Sequence, residues 1–373
     1  MNLYRKLVPE IIRTQIRNPQ YIFDDLKFLF RLISSKVLKH QSTKVLDKSI
    51  CYIISNTNIT GGTAAICEHL NRLQKIGFKC LIVTLDNKTN LDWFPSQKVK
   101  VILLKNNSKI VEKYSNVVAT SWPTAYELLL LNVKRKMYLI QANEIPFYPN
   151  YSYIKKRVKR TYTFPFEFIT ISKWLQQFLK ENFNKNSYCV YNGINTKIFY
   201  PDTPLEPKPK NKKRILLEGA INIPFKGMKE AFEVVQDIDC EVWCVSYDGK
   251  PKPDWRCNRY FEKVPLQQMR QIYSSCDILL KLSAYEGFGF PPLEMMTCGG
   301  VSVVSKIAGH KEYIIDNYNA LFTDPKNPSM TKKQVLRLIN DKTLYQKLQN
   351  NSQKTVQQFN WQNTIKTLEK IFS

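Results

Sequence analysis

The sequence predicts an α/β protein made of two doubly wound, Rossmann-like domains that face each other across a cleft. At 373 residues the chain exceeds the size at which a single hydrophobic core stops growing. Short apolar runs alternate with amphipathic segments, the pattern of parallel strands joined by crossover helices. That alternation runs twice, with a proline- and charge-rich interruption at 200–214 between the two passes.

Residues 1–45 come first as an amphipathic, basic region. Phe23, Leu26, Phe30, Ile33 and Val37 recur at helical spacing with Lys27, Arg31, Lys36 and Lys39 interleaved. Such a helix either docks its apolar stripe on the first domain or lies on an anionic membrane surface, and the sequence leaves both open. From 46 to 205 the first alternation predicts strands at 50–54, 80–84, 99–104, 116–120, 137–141 and 168–171, with a Gly61-Gly62 turn opening a helix over 64–76.

The second domain, 206–352, restarts the pattern. Strands are expected at 215–217, 240–245, 278–282 and 301–305, and helices at 228–235 and 266–275. A polar helix is expected over 331–349. A final helix from about 352 to 372, in a segment assigned to 353–373, carries Phe359, Trp361, Ile365, Leu368 and Phe372 on one side and is expected to pack back toward the first domain. In folds of this class ligands bind outside the carboxyl ends of the strands, which places the chemistry in the cleft.

Composition narrows the partners. Fifty-six Lys and Arg against 31 Asp and Glu give a net charge of +25, which suits anionic partners or a solvated lysine-rich surface. No nucleic-acid module is recognisable, so nucleic acid is not expected as a partner. The nine cysteines form no Cys-x-x-Cys pair and several sit in apolar runs, which reads as reduced, buried thiols. His40, His69 and His310 lack metal-ligand spacing, so no metal is expected. No apolar stretch is long enough to span a bilayer, and the N-terminus lacks a signal-peptide pattern; the expected location is cytoplasmic, with peripheral association at the inner face of a membrane as an option.

The most informative stretch is 281–300, Lys281-Leu-Ser-Ala-Tyr-Glu286-Gly-Phe288-Gly289-Phe290-Pro291-Pro292-Leu-Glu294-Met-Met-Thr-Cys-Gly-Gly300. Two carboxylates flank a glycine-aromatic bend that opens a helix with proline in its first turn. Glycines let backbone N–H groups approach a ligand, and a helix N-terminus presents free donors and a positive dipole end, so the combination suits a phosphate.

This stretch resembles the Glu-x7-Glu signature of the retaining GT-B glycosyltransferases of family four. The resemblance implies that Glu286 lies against the donor sugar, that Glu294 holds the ribose hydroxyls, and that the N–H groups of Phe288, Gly289 and Phe290 face the sugar and diphosphate, with Pro291 and Val264 among the donor-binding residues. Two further segments are similar to the same family: Val190-Tyr-Asn192-Gly193-Ile194-Asn195-Thr-Lys-Ile-Phe199-Tyr-Pro201 between the domains, and Gly219-Ala-Ile-Asn-Ile-Pro-Phe-Lys226-Gly227 at the start of the second. The resemblance makes Lys226 a diphosphate contact and, with Glu286, a catalytic residue. Where the family often has an arginine just before that lysine, this chain has Ala220, Ile221, Asn222 and Ile223, so charge neutralisation rests more heavily on Lys226.

In the first domain, Gly61, Gly62 and Thr63 resemble the family's glycine turn, which lets acceptor and phosphates approach. The runs from Tyr138 to Pro149 and from Tyr162 to Leu175 resemble a bacterial rhamnosyltransferase-like branch. Gln141, Asn143 and Glu144 at a strand end suit a hydroxyl-rich sugar, and Phe147 and Tyr148 suit a sugar face; a capped turn with aromatic packing accounts for them equally well. Lys155-Lys-Arg-Val-Lys-Arg160 is a basic helix face, either solvated or in contact with phosphate headgroups.

The resemblance thus implies a retaining, metal-independent hexosyl- or deoxyhexosyltransferase with no cofactor. It would use a UDP-, dTDP- or GDP-linked sugar and a saccharide or lipid-linked saccharide acceptor. A sugar-nucleotide epimerase of the same fold and a non-catalytic basic binding protein are the alternatives.

Overall fold

The computed structural model describes residues 19–37, 45–94 and 97–373, with side chains described from residue 25 and to residue 34 in the first of these segments. Expectations for residues 1–18 and 38–44, and for the side chains of Phe23, Lys36 and Val37, lie outside the described residues.

Two all-parallel sheets form the frame. The first has strand order β3-β2-β1-β4-β5-β6-β7, from β1 (Leu46–Ile54), β2 (Lys79–Thr84), β3 (Val101–Leu103), β4 (Tyr114–Ala119), β5 (Arg135–Ile140), β6 (Glu167–Thr170) and β7 (Ser187–Cys189). The second has order β10-β9-β8-β11-β12-β13, from β8 (Lys213–Glu218), β9 (Cys240–Ser246), β10 (Arg259–Glu262), β11 (Ile278–Lys281), β12 (Val301–Ser305) and β13 (Leu321–Thr323). Both are doubly wound, with the strand order reversing between β1 and β4 and between β8 and β11. Ligand crevices open at such reversals.

The central strands are buried on both faces, which is why Ile50-Cys-Tyr-Ile-Ile54 and Ile278-Leu-Leu280 read as unbroken apolar runs rather than alternations. The nine cysteines are unpaired, and all but Cys189 and Cys257 are buried.

The structure departs from expectation at four places. The helix expected over 331–349 is two helices, Pro328–Asn340 and Lys342–Val356, because the Asp341 side chain accepts the Leu344 N–H and caps the second. The last helix starts at Trp361, capped by Asn360 through the Asn363 N–H, and not near 352. The interdomain segment gives its last two residues to β8, where the buried Arg214 bonds Glu241 and the carbonyls of Glu206, Pro207 and Ser275. Strands β7, β10 and β13 were not expected; each is a three- or four-residue edge element.

The chain crosses between the domains twice, side by side. Ile194 N–H bonds the Phe359 carbonyl at 2.8 Å, and Ile194 forms a parallel bridge with Asn360. The helix Trp361–Phe372 then lies on the first domain: Asn116 Nδ2 reaches the Phe372 carbonyl at 3.0 Å and Arg135 reaches that of Ile371 at 2.8 Å. The Asn192-Gly193 turn belongs to this crossing, since Asn192 Oδ1 lies 2.9 Å from His69 Nε2.

The helix Pro19–Val37 docks outside the helix Trp122–Leu130. Its contacts include Phe28, edge-on to Tyr126 with ring centroids 5.0 Å apart, and Arg31, paired with both oxygens of Glu127 at 2.7 and 3.0 Å. Of the apolar stripe for which docking and a membrane surface were both open, Leu26, Phe30 and Ile33 are exposed and do not dock on the domain.

Candidate active site between the two sheets

The second domain contributes two adjoining strand ends. Strand β8 ends in Glu218 and its neighbour β11 in Lys281, and the buried Lys281 Nζ donates to Glu218 Oε2 at 2.6 Å and to the Glu218 carbonyl at 2.8 Å. After β8 the chain turns at Gly219 and makes the short 3-10 turn Pro224–Lys226. After β11 it runs through Glu286 into the helix Phe290–Thr297, with Pro291 and Pro292 in its first turn and Glu294 on its body.

These two segments converge. Lys226 Nζ lies 2.9 and 3.2 Å from the two oxygens of Glu286, and Lys281 Nζ is 3.9 Å from the nearer one. Burial alone would push the Glu286 carboxyl up, but the two lysines and the hydrogen bond from Lys226 outweigh it and hold it at about 2. Glu286 is therefore an anion fixed between cations. Gly219 belongs to the same cluster, since a Cβ there would sit 3.5 Å from the Lys226 Cβ.

Glu294 has the opposite environment. Burial pushes its carboxyl up to about 7, helped by nearby Glu218 and opposed by the Tyr273 hydroxyl, which donates to Oε2 at 2.8 Å, and by Lys281. The two carboxylates of one motif thus differ in protonation behaviour because Lys226 pairs directly with Glu286 whereas burial dominates at Glu294.

Within the bend, the Phe288 ring is core, packed against Tyr191, Tyr313 and Phe359. Gly289 has a φ of +82°, and a Cβ there would lie 2.9 Å from His310 Cδ2. Only glycine fits that position. His310 is buried, its Nδ1 is 2.8 Å from the Ser305 carbonyl, and burial lowers its pKa to about 4, so the ring is neutral with the proton on Nδ1. Its Nε2 has no protein partner. Val264 is half-buried just past the end of β10, on the same edge of the sheet.

The first domain meets this bend directly. Gly287 lies so close to the Gln141 carbonyl that any Cβ would collide with it, and a Cβ on Gly62 would sit 3.1 Å from Gln141 Oε1. Gly62, Gln141 and the bend are therefore consecutive neighbours across the interface. Gly61 is exposed with open space beside it, and Thr63 lies in the first turn of the helix Gly61–Lys75, its N–H capped by Thr60 Oγ1 at 3.1 Å. Trp174 Nε1 donates to the Gly287 carbonyl at 2.7 Å, and Glu312 accepts the N–H groups of Lys173 and Trp174 at 3.1 and 2.7 Å and the Tyr191 hydroxyl at 2.7 Å. Phe147 stacks on Phe225, centroids 5.2 Å apart and planes 9° from parallel.

Asn143 and Glu144 are not part of that cluster. Asn143 Oδ1 caps the Ile145 N–H at 3.1 Å, and Glu144 Oε1 accepts the Trp122 N–H and the Tyr138 hydroxyl, each at 3.0 Å. Burial pushes the Glu144 carboxyl up to about 7. Tyr148 takes the Trp122 indole N–H, so for these three residues the capped turn with aromatic packing describes the geometry. Sequence reasoning missed Glu218, Lys281, Tyr273, His310, Glu312 and Trp174 as members of the site. A signal existed for two of them: charged residues ending the apolar runs Ile215-Leu-Leu217 and Ile278-Leu-Leu280. Among the described residues no group of three or more His, Cys, Asp or Glu converges as a metal site would.

Residues 259–355 match the family described as glycosyl transferases group 1. An uncharacterized glycosyltransferase of Methanocaldococcus jannaschii is 25% identical over 234 residues, 59% of this chain and 64% of that protein. The chain therefore matches a little under two thirds of that relative's length. The N,N'-diacetylbacillosaminyl-diphospho-undecaprenol alpha-1,3-N-acetylgalactosaminyltransferase of Campylobacter jejuni is 24% identical over 324 residues, 78% of this chain and 85% of that enzyme. Among solved structures, Anabaena HepE in complex with UDP-glucose superposes with a TM-score of 0.73 at 13% identity, covering 87% of this chain and 99% of that one. The sucrose-phosphate synthase of Thermosynechococcus elongatus gives a TM-score of 0.71 at 15% identity, with 87% and 98% covered. These likenesses establish the fold of two facing Rossmann-like domains.

Proposed function

We propose that this chain, whose residues 259–355 match the group 1 glycosyltransferases and whose two facing Rossmann-like domains have the GT-B fold, transfers a sugar from a nucleoside diphosphate donor to a saccharide acceptor with retention and without a metal. The observation that carries this reading is the convergence of Lys226, Glu286 and the N-terminus of the helix Phe290–Thr297 at the strand reversal of the second domain.

In this reading the donor diphosphate takes the positive end of that convergence. Lys226 and the N–H groups of Phe288, Gly289 and Phe290 neutralise the departing phosphate, the task a metal ion performs elsewhere. Glu286, held as an anion, lies beside the sugar and stabilises positive charge developing at the anomeric carbon. Its fixed pairing with Lys226 makes it a poor nucleophile, so the acceptor hydroxyl attacks from the side the diphosphate leaves and passes its proton to the departing phosphate oxygen. Glu294 holds the ribose, with Gly219, Pro291 and Val264 around the nucleoside. Gly61, Gly62, Thr63 and Gln141 line the acceptor side.

The named activity of the Campylobacter jejuni relative supports a lipid-diphosphate-linked saccharide as acceptor. The donor is a UDP-, dTDP- or GDP-linked sugar, and no further cofactor takes part. The test is a panel of these nucleotide sugars in thermal-shift assays, in which a ligand at a hundred times its Kd adds about 2.7 kcal/mol. It is followed by product analysis by NMR with and without EDTA. An inverted anomeric centre, or activity abolished by EDTA and restored by a divalent cation, removes the mechanism.

A further inference from the structure

The helix Pro19–Val37 carries an apolar row that its own protein leaves open. Leu26, Leu29, Phe30 and Ile33, at helical spacing, are 49%, 38%, 72% and 53% exposed. The helix is anchored by the other side of its surface, through Phe28 on Tyr126 and Arg31 on Glu127. An apolar stripe turned away from the domain while a polar contact faces it is the reverse of ordinary core docking.

The layer beneath supplies the charge. Tyr126, which receives Phe28, is also covered by the Arg157 guanidinium at 4.7 Å and donates its hydroxyl to the Arg157 carbonyl at 3.2 Å. Tyr126 therefore links the helix that bears the apolar row to the helix Ser152–Thr161, which contains five cations and no acidic residue and exposes Lys156, Lys159 and Arg160. Tyr151, at the start of that helix, is 55% exposed. A row of insertable apolar side chains beside a purely cationic helix, with an aromatic at its edge, matches the interface of an anionic bilayer.

We propose that Leu26, Leu29, Phe30 and Ile33 insert among the headgroups and upper acyl chains of an anionic lipid surface while Lys156, Lys159 and Arg160 contact its phosphates. A second copy of this chain is a poorer occupant, because a two-fold pairing of this face sets cationic helix near cationic helix. The segment from Gln141 leads through the turn Ile145–Phe147, whose Phe147 stacks on Phe225 of the second domain, into the cationic helix, so one short stretch of the first domain joins this face to the cleft. That placement deepens the reading of a lipid-linked acceptor and rests on it only for its purpose; the binding itself does not.

The full chain is sedimented with vesicles of phosphatidylcholine alone and of phosphatidylcholine with phosphatidylglycerol, at low and high salt. Binding is expected to the anionic vesicles only, weakening as salt rises. The exposed double variant Phe30→Ser, Ile33→Ser is expected to lower partitioning by about tenfold or more with an unchanged Tm. Lys156→Gln with Lys159→Gln should lower it and flatten the salt dependence. Equal binding to neutral vesicles, no binding to anionic ones, or full binding by the Phe30/Ile33 variant overturns the proposal. So does a dimer of the wild type that those two substitutions convert to monomer. Donor binding by thermal shift is read on the same samples, so loss of vesicle binding with donor binding intact refutes the membrane face and leaves the transferase reading standing.

Discussion

The indole nitrogen of Trp174 donates to the Gly287 carbonyl at 2.7 Å, so a helix of the first domain holds the bend of the second that carries Glu286. The same helix start is gripped by Glu312, which accepts the N–H groups of Lys173 and Trp174. Trp174→Phe removes the hydrogen bond and keeps a ring against Phe178. It is expected to cost about 1 kcal/mol of stability and about tenfold in kcat through a misplaced bend. An unchanged kcat in steady-state assays would mean the bend holds itself.

Glu286→Gln keeps the shape and removes the charge that Lys226 faces. Turnover is expected to fall at least about a hundredfold with the far-UV circular dichroism unchanged. In the wild type the folded-state value of about 2 lies below the ordinary 4.5. The ionised carboxylate therefore contributes stability that is complete above pH 4.5 and is lost as pH falls toward 2. Urea melts of the two proteins across that window should converge at the acid end. Curves that stay parallel contradict the ion pair.

Glu294 carries the opposite sign. Its carboxyl is raised from 4.5 to about 7, so its contribution to stability is complete below 4.5 and is lost as pH rises through 7. Glu294→Gln is expected to flatten the decline in stability between those values. If the carboxylate is the form that accepts ribose hydroxyls, donor affinity rises with pH across the same range, by up to about tenfold per unit below the pKa. Calorimetric titration of nucleoside diphosphate into both proteins at several pH values checks it.

Gly289→Ala places a methyl group against the His310 ring and holds a non-glycine residue at a φ of +82°. The expected cost is about 1 to 3 kcal/mol, with loss of donor binding. Pairing it with His310→Ala should recover only the steric part of the stability, since the backbone strain remains. Full recovery would show that the ring contact was the whole cost.

What could be read from the residues was whatever depends on neighbours in the chain. The apolar runs of β1, β2, β8, β9, β11 and β12, the glycine turn at Gly61 and the proline-opened helix after Gly289 all have local causes, and all occur close to where expected. The Glu286 bend was legible because glycines and prolines impose backbone geometry by themselves. Its partners were less so. Lys281 and Glu218 meet across 63 positions, and Glu312 reaches Trp174 across 138, which no local pattern encodes. The edge strands β7, β10 and β13 were missed because so few residues carry no period. Asp341 and Asn360 fall inside segments expected as unbroken helix, although each caps a helix and sets its start.

The closing helix Trp361–Phe372 bears on the order in which the protein comes into being. Tyr52, His69 and Asn116 of the first domain rest on Trp361 and Phe372, residues that emerge from the ribosome some 250 positions after Asn116. The half of the molecule made first therefore stays open along one flank until those residues have been made. Any chaperone that guards the nascent chain has its cue at that uncovered flank.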